Sequence, residues 1–453
     1  MFHLPAPMLT ALRIFSPVFS TSTYQNLLLL VFGHILCKGR RTVTEVLRQL
    51  GLKNTKNYSK YHEVFSKAKW SALAASRALF LKLITLSQSN ILVSIDSTIE
   101  RRKGPKIKGL GRQRDAVRSS KNKKVLTIGL NWLVTTVHIA FPWCSKCWAL
   151  PFLTILMPPE RPLSSSKNRQ DMNKRTKHKT LNDWASQIAA TLRRWLGPLK
   201  ILTLVADSSF ATYKFANTCV DLGISLISRM RLDARFYDFP PEQSVKKGRK
   251  RIVGSRLPTP NAMLEQNSRA WVAMEVNWYG GERKQIEFIT GSCLWYGYGI
   301  RPVPIKWVLV RDPKGGFEPV CLFSTNVNSL PIEIIEAFVA RWQIEVTFEE
   351  ARRHLGIESQ RQWSDLAIDR ITPSLFASFS IINLLALEFN NINHETVGVQ
   401  TCSWYKKKHV TFSDVLAYVR QKLLLERYFL GFEKKFDPQK FNLDEWITQM
   451  AAA

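Results

Sequence analysis

Two short runs of aliphatic and β-branched residues, Ile91-Leu92-Val93-Ser94-Ile95 and Ile201-Leu202-Thr203-Leu204-Val205-Ala206, each lead directly into an aspartate, Asp96 and Asp207. Near-continuous apolar runs of this length are strands covered on both faces, which points to helices packed over a parallel or mixed sheet. Residues 125–138 and 148–157 are two further apolar, β-rich runs. Leu181, Trp184, Ile188, Leu192 and Trp195 recur on one helical face, and Gly197-Pro198 stops that helix before the second Asp-ended strand. A helix over 213–222 and a strand over 224–230 complete a mixed α/β layer.

On either side the pattern changes. Residues 1–88 read as a helical region suited to binding DNA ends, although a solvated amphipathic bundle has the same pattern. Within it Thr42 caps a helix with Glu45 as its capping-box partner and Gly51 at its stop. A second helical stretch covers 58–84, with Tyr61, Val64, Phe65 and Ala68 at helical spacing. Residues 232–330 open with a Pro-, Lys- and Arg-rich segment and continue in period-two alternation, as in Val272, Met274, Val276 and Trp278. They are expected to form a small all-β insertion, which divides the α/β core into 89–231 and 331–395. A basic region, 396–453, follows.

Lys and Arg number 65 against 35 Asp and Glu, a formal net charge of +30. With 45% hydrophobic residues this is a folded chain, not a disordered basic tail, and its charge calls for an anionic partner. A membrane surface is the weaker choice. The apolar run 27–36 is broken by Gly33 and His34 and is too short to span, and residues 1–20 do not read as a signal peptide. Seven Cys, an odd number, give no disulfide framework and suit a reducing compartment such as the cytoplasm or nucleoid. Residues 101–124 hold eleven Lys and Arg against the single acid Asp115. Such a run is ordinarily a solvated loop. Directly after Asp96, its Lys121, Lys123 and Lys124 are candidates to line a DNA path, as are 246–251 and Lys406-Lys407-Lys408.

Three carboxylates stand out by position. Taken singly, Asp96 or Asp207 is more ordinarily a turn or helix cap; two such strand ends in one α/β unit point to a crevice site. The third is Glu345. At about 100° per residue, Phe338, Arg341, Glu345 and Arg352 fall within about 60° of arc if 338–352 is one helix. That stripe is either a surface ion-pair ladder or the wall of an active site in which two guanidiniums grip phosphates.

Phe338-x2-Arg341-x3-Glu345-x6-Arg352 resembles the Tyr-x2-Arg-x3-Glu-x6-Lys signature of bacterial insertion-sequence transposases of the DDE superfamily, and residues 341–345 with His354-Leu355-Gly356-Ile357-Glu358 read like that group's last catalytic helix. The resemblance spans about 89–390 and departs at two places, with Phe338 for Tyr and Arg352 for Lys. It implies an α/β, RNase H-like mixed-sheet catalytic core interrupted by an all-β insertion. It further implies DNA cleavage and strand transfer through two divalent ions, Mg²⁺ with Mn²⁺ able to substitute. Asp96 would bridge both ions, and Asp207 and Glu345 would each hold one. The partners implied are double-stranded DNA, as transposon ends and target, and a second copy of the chain in a synaptic homodimer, with no membrane. In relatives that form hairpins an aromatic of the insertion holds a flipped base. Trp295, in a Gly- and Tyr-rich stretch, is the candidate for that role, against the plainer reading of a packed core residue.

Other motifs are weaker. Cys144-x2-Cys147 lacks a second pair to make a zinc site, no Walker A motif is present, and Ser208 and Ser209 beside Asp207 form no hydrolase triad. Two alternatives to a transposase remain: a non-catalytic DNA-binding protein derived from one, and an RNase H-like nuclease that never transfers strands.

Overall fold

A computed structural model describes residues 4–87, 90–115, 118–120, 122–160, 178–241, 251–266, 271–432 and 450–451. Five helices come first: α1 (Ala6–Leu12), α2 (Thr21–Leu36), α3 (Val43–Gln49), α4 (Ser59–Ser66) and α5 (Ala72–Ile84). Four strands follow, β1 (Ile91–Arg101), β2 (Gly111–Arg114), β3 (Leu126–Ile139) and β4 (Trp148–Met157). Then come α6 (Leu181–Leu196), β5 (Leu202–Ala206), α7 (Tyr213–Asp221), β6 (Ser225–Met230), β7 (Phe236–Tyr237), α8 (Pro260–Glu265), β8 (Val272–Asn277), β9 (Arg283–Trp295), β10 (Val303–Arg311) and β11 (Val320–Ser324). The chain returns to helix in α9 (Pro331–Ala340), α10 (Gln343–His354), α11 (Asp365–Asn393) and α12 (Phe412–Phe432).

The chain divides into two compact units. The first comprises Met1–Leu86, Ser97–Lys174 and Glu345–Ala453, and the second Ser87–Asp96 and Arg175–Ile344. In the first unit β4 pairs antiparallel with β3 from Asn131↔Met157 to Ile139↔Trp148, and α5 and α11 pack on β4. Thr42 accepts the Glu45 amide at 3.3 Å, as its sequence implies, while the Glu45 carboxylate turns to Arg48 at 2.7 Å. Gly33 is where α2 and α3 meet: a Cβ there would stand 2.7 Å from Val46 Cγ1. The stretch expected to run unbroken over 58–84 is instead two helices. Between them, Arg370 of α11 donates to the carbonyls of Phe65 (3.3 Å), Ala68 (2.8 Å) and Trp70 (2.8 Å), with its guanidinium 4.5 Å from the Trp70 ring. That cation supplies donors to carbonyls released where the helix breaks.

In the second unit β1 pairs parallel with β5 (Ile91↔Leu202 to Ile95↔Ala206), and β5 pairs parallel with β6 (Thr203↔Ser225 to Ala206↔Ser228). The β-rich segment is not free-standing. β11 pairs antiparallel with β6 (Cys321↔Met230 to Ser324↔Ile227), and β10, β9 and β8 follow in turn. Helix α9 lies over this sheet, with Ile334, Ile335 and Val339 buried against Val205, Ile227, Val308 and Leu322. α6 and α7 pack on each other, and α7 also on β6.

One helix among the described residues, over Asp365–Ile392, is long and apolar enough to cross a membrane by length and composition, but 72% of its apolar window is buried inside the protein. It is a core helix, packed on α1, α4, α5, α12 and β4.

Candidate active site at two strand ends

Asp96 and Asp207 follow the paired residues Ile95 and Ala206 on neighbouring parallel strands. Side chains alternate along a strand, so Leu92, Ser94 and Asp96 share a face with Thr203, Val205 and Asp207. Leu92 and Val205 are packed into the α9 cluster, which places both aspartates on the helix-covered face where that cover ends. Both are half-buried. Strand β1, expected to end at Ile95, runs on to Arg101. Only its parallel pairing stops at Ile95, so Asp96 stands where the strand leaves its β5 partner.

Asp207 is held by its own turn. It caps the 3₁₀ turn Ser208–Phe210, accepting the Ser209 amide at 3.0 Å and the Ser209 hydroxyl at 2.6 Å, and its carbonyl accepts from Ser228 at 2.7 Å. Asp96 receives a cation: Arg341 Nη1 donates to its Oδ2 at 3.0 Å. Arg341 lies just past the end of α9, 9% exposed, with its guanidinium 5.6 Å from the Phe338 ring.

The single helix expected over 338–352 is broken. α9 ends at Ala340 and α10 starts at Gln343, and the bonds Trp342 N–H to Val339 O (3.1 Å) and Ile344 N–H to Arg341 O (3.0 Å) tighten the backbone between them. The shared stripe is therefore lost. Phe338 packs on the α9 cluster, and Arg341 turns to Asp96.

Glu345, half-buried in the first turn of α10, belongs to the first unit. Within that unit α10 is tied down at two points. The Thr347 hydroxyl donates to Ala149 O at 2.8 Å, and Arg352 donates to the Thr98 hydroxyl and to Ile99 O (3.2 Å) on β1. Arg352 also lies 3.6 Å from Glu358, so its donors engage protein groups. A little further along β1, the buried Glu100 accepts from Arg102, the Trp132 indole and Thr372, each at 2.8 Å, which joins β1 to β3 and α11. Nothing in the spacing of the sequence marks Glu100 as the shared acceptor of Arg102, Trp132 and Thr372. The structure thus brings Asp96, Asp207 and Arg341 together, and Glu345 follows four residues after the arginine that bonds Asp96.

The remaining candidates differ in exposure. Lys123 and Lys124 are exposed, and Lys121 lies outside the described residues. Part of the basic run has structural duties. Arg101 pairs with the buried Asp115 at 3.1 Å and Arg102 with Glu100 at 2.8 Å. Arg101 and Arg118 together hold the Asp115 carboxyl below the usual carboxylate range, against the opposing effect of desolvation. Trp295 is no exposed turn residue. It ends β9, pairs with Val303 and Phe236, is 6% exposed, and packs with tilted rings 4.2 Å from Tyr213 and 5.4 Å from Phe323. Trp295 thus lies packed on a strand, not in the Gly- and Tyr-rich turn that the sequence suggests. Cys144 accepts the Trp148 indole N–H at 3.0 Å.

Among the described residues, no three His, Cys, Asp or Glu side chains stand grouped as a metal centre. Asp96 and Asp207 do supply the hard oxygen donors that Mg²⁺ prefers, and neighbouring carboxylates repel one another unless a cation lies near them.

The mixed α/β sheet, with Asp96 and Asp207 just past the point where the parallel β1–β5 pairing stops, is that of an RNase H-like core. Residues 14–285 match the family model described as DDE superfamily endonuclease, and the chain belongs to that family. The match takes in Asp96 and Asp207 and ends before Glu345. A comparison with curated proteins returned no match.

Proposed function

We propose that this chain is the transposase of a bacterial insertion sequence, which binds the element's ends, cuts the DNA there and joins those ends to a target, acting as a homodimer on two ends. The observation that carries the reading is that Asp96 and Asp207 directly follow the last paired residues of two neighbouring parallel strands, with Arg341 bonded to Asp96 and Glu345 four residues further along the chain. Asp96, Asp207 and Glu345 are the residues that would hold Mg²⁺ or Mn²⁺. When bound, such ions activate the attacking water or 3′-hydroxyl and stabilise the leaving oxygen. The chain's own groups prepare this. The Ser209 amide and hydroxyl orient Asp207, and Arg341 offsets the charge of Asp96 beside it. Thr98 and Ile99 fix Arg352 and so hold α10, which carries Glu345. The excess of Lys and Arg, including exposed Lys123 and Lys124, attracts the phosphate backbone.

The test uses DNA carrying the gene's own flanking sequences. Asp96→Asn, Asp207→Asn and Glu345→Gln are each expected to abolish Mg²⁺-dependent cleavage while end binding, read by gel shift, stays near wild type. Wild-type cutting by any one of them removes that residue from the site. Products that are cut but never joined to a target would reduce the activity to that of a nuclease.

A further inference from the structure

The hairpin before α12 exposes its aromatic residues and is firmly anchored. Cys402 and Tyr405 exchange two backbone hydrogen bonds of 3.1 Å, which leaves Ser403 and Trp404 at the corner of a tight turn. Trp404 is 87% exposed and Tyr405 60%. Lys406, Lys408 and His409 are exposed beside them.

The anchor is Asp414, third residue of α12 and 1% exposed. It accepts from the Gln400 amide (3.1 Å), the Thr411 amide (2.8 Å), the Thr411 hydroxyl (2.8 Å) and the Lys407 ammonium (2.9 Å). Lys407 also reaches the Thr411 and Ser413 hydroxyls, each at 3.2 Å. A buried carboxylate with four donors therefore fixes both stems of the loop. The middle lysine of the run serves the fold, and its two neighbours face solvent.

Ordering a loop costs conformational entropy, and an indole in water gains nothing from burial. A well-anchored mount whose corner displays an indole flanked by exposed ammonium groups is suited to a ligand with an aromatic face and anionic links. An unstacked nucleotide has both: its base stacks on the indole and its phosphates meet the lysines. We infer that the hairpin Cys402–Tyr405 with Lys406 and Lys408 is a DNA-binding site that stacks an unpaired base on Trp404. This rests on the reading of the chain as a DNA-processing enzyme, and it puts the base contact on a residue other than the buried Trp295.

The test is fluorescence anisotropy with full-length protein in EDTA, so that no strand is cut. The probes are a labelled blunt duplex and the same duplex with a short single-stranded 3′ overhang. Wild type is expected to bind the overhang probe more tightly. Trp404→Ala should bind it roughly tenfold more weakly, leave blunt-duplex binding unchanged and melt as wild type does, while Trp404→Phe restores most of the loss. Lys406→Gln and Lys408→Gln should each weaken both probes and lower the slope of log K against log salt by about 0.9. Wild-type affinity of Trp404→Ala for the overhang probe overturns the inference, as does equal loss on both probes, which would mark a general contact or a protein-docking surface. If wild type binds neither probe, the transposase reading fails with it. If wild type binds and only Trp404→Ala is silent, that reading stands and the hairpin's role falls.

Discussion

At Trp295 the indole fills the space between Tyr213 and Phe323 at the end of β9. Removing a buried side chain of this size costs both its transfer energy and a cavity, so Trp295→Ala should destabilise the protein by about 3–5 kcal/mol. Urea unfolding monitored by circular dichroism reads this directly; a variant as stable as wild type would return the residue to a surface role. The strands that lead into Asp96 and Asp207 were legible, because a short apolar run before an Asp leaves its mark in the sequence; the continuation of β1 to Arg101 was not. The fate of Trp295 was not. A Gly- and Tyr-rich neighbourhood resembles an exposed turn until the partners that cover it, 213 and 323, are brought in from other elements. Arg341 and Arg352 are a similar case. Their spacing marks them as important, but their partners, Asp96 and Thr98, lie far away in sequence.

Elements with strong local signals fall where the sequence puts them: α6 over Leu181–Leu196 and β4 over Trp148–Met157 match the apolar patterns. Elements that break for tertiary reasons do not. The gap between α4 and α5 depends on Arg370, which is some three hundred residues away in sequence, and the break between α9 and α10 falls within a run of uninterrupted helical periodicity. Strand β3 carries a further consequence. Burial holds His138 on that strand down at about 4, whereas an unfolded histidine titrates near 6.5. Between those values the unfolded chain binds a proton that the folded one refuses, so this residue's contribution to stability is lost as pH falls from about 6.5 towards 4. The melting temperature should therefore drop more between pH 7 and pH 5 in wild type than in His138→Gln. Equal drops in the two proteins would show that His138 titrates normally in the fold.

Over the whole molecule, the β1–β5–β6 order, the β-rich extension through β11 and the family match all concern a core in which Asp96 and Asp207 follow the last paired residues of neighbouring parallel strands. The +30 charge suits the polyanion such a core processes. The central claim is that these two carboxylates and Glu345 hold the same divalent ions. Fe²⁺ put in place of Mg²⁺ tests it most directly, because hydroxyl radicals made with peroxide and ascorbate cut the polypeptide near the bound ion. The account predicts chain cleavage clustered around residues 96, 207 and 345, suppressed together by excess Mg²⁺ and lost together in Asp207→Asn. Cuts near 96 and 207 without any near 345, or cuts unaffected by Mg²⁺, would contradict it.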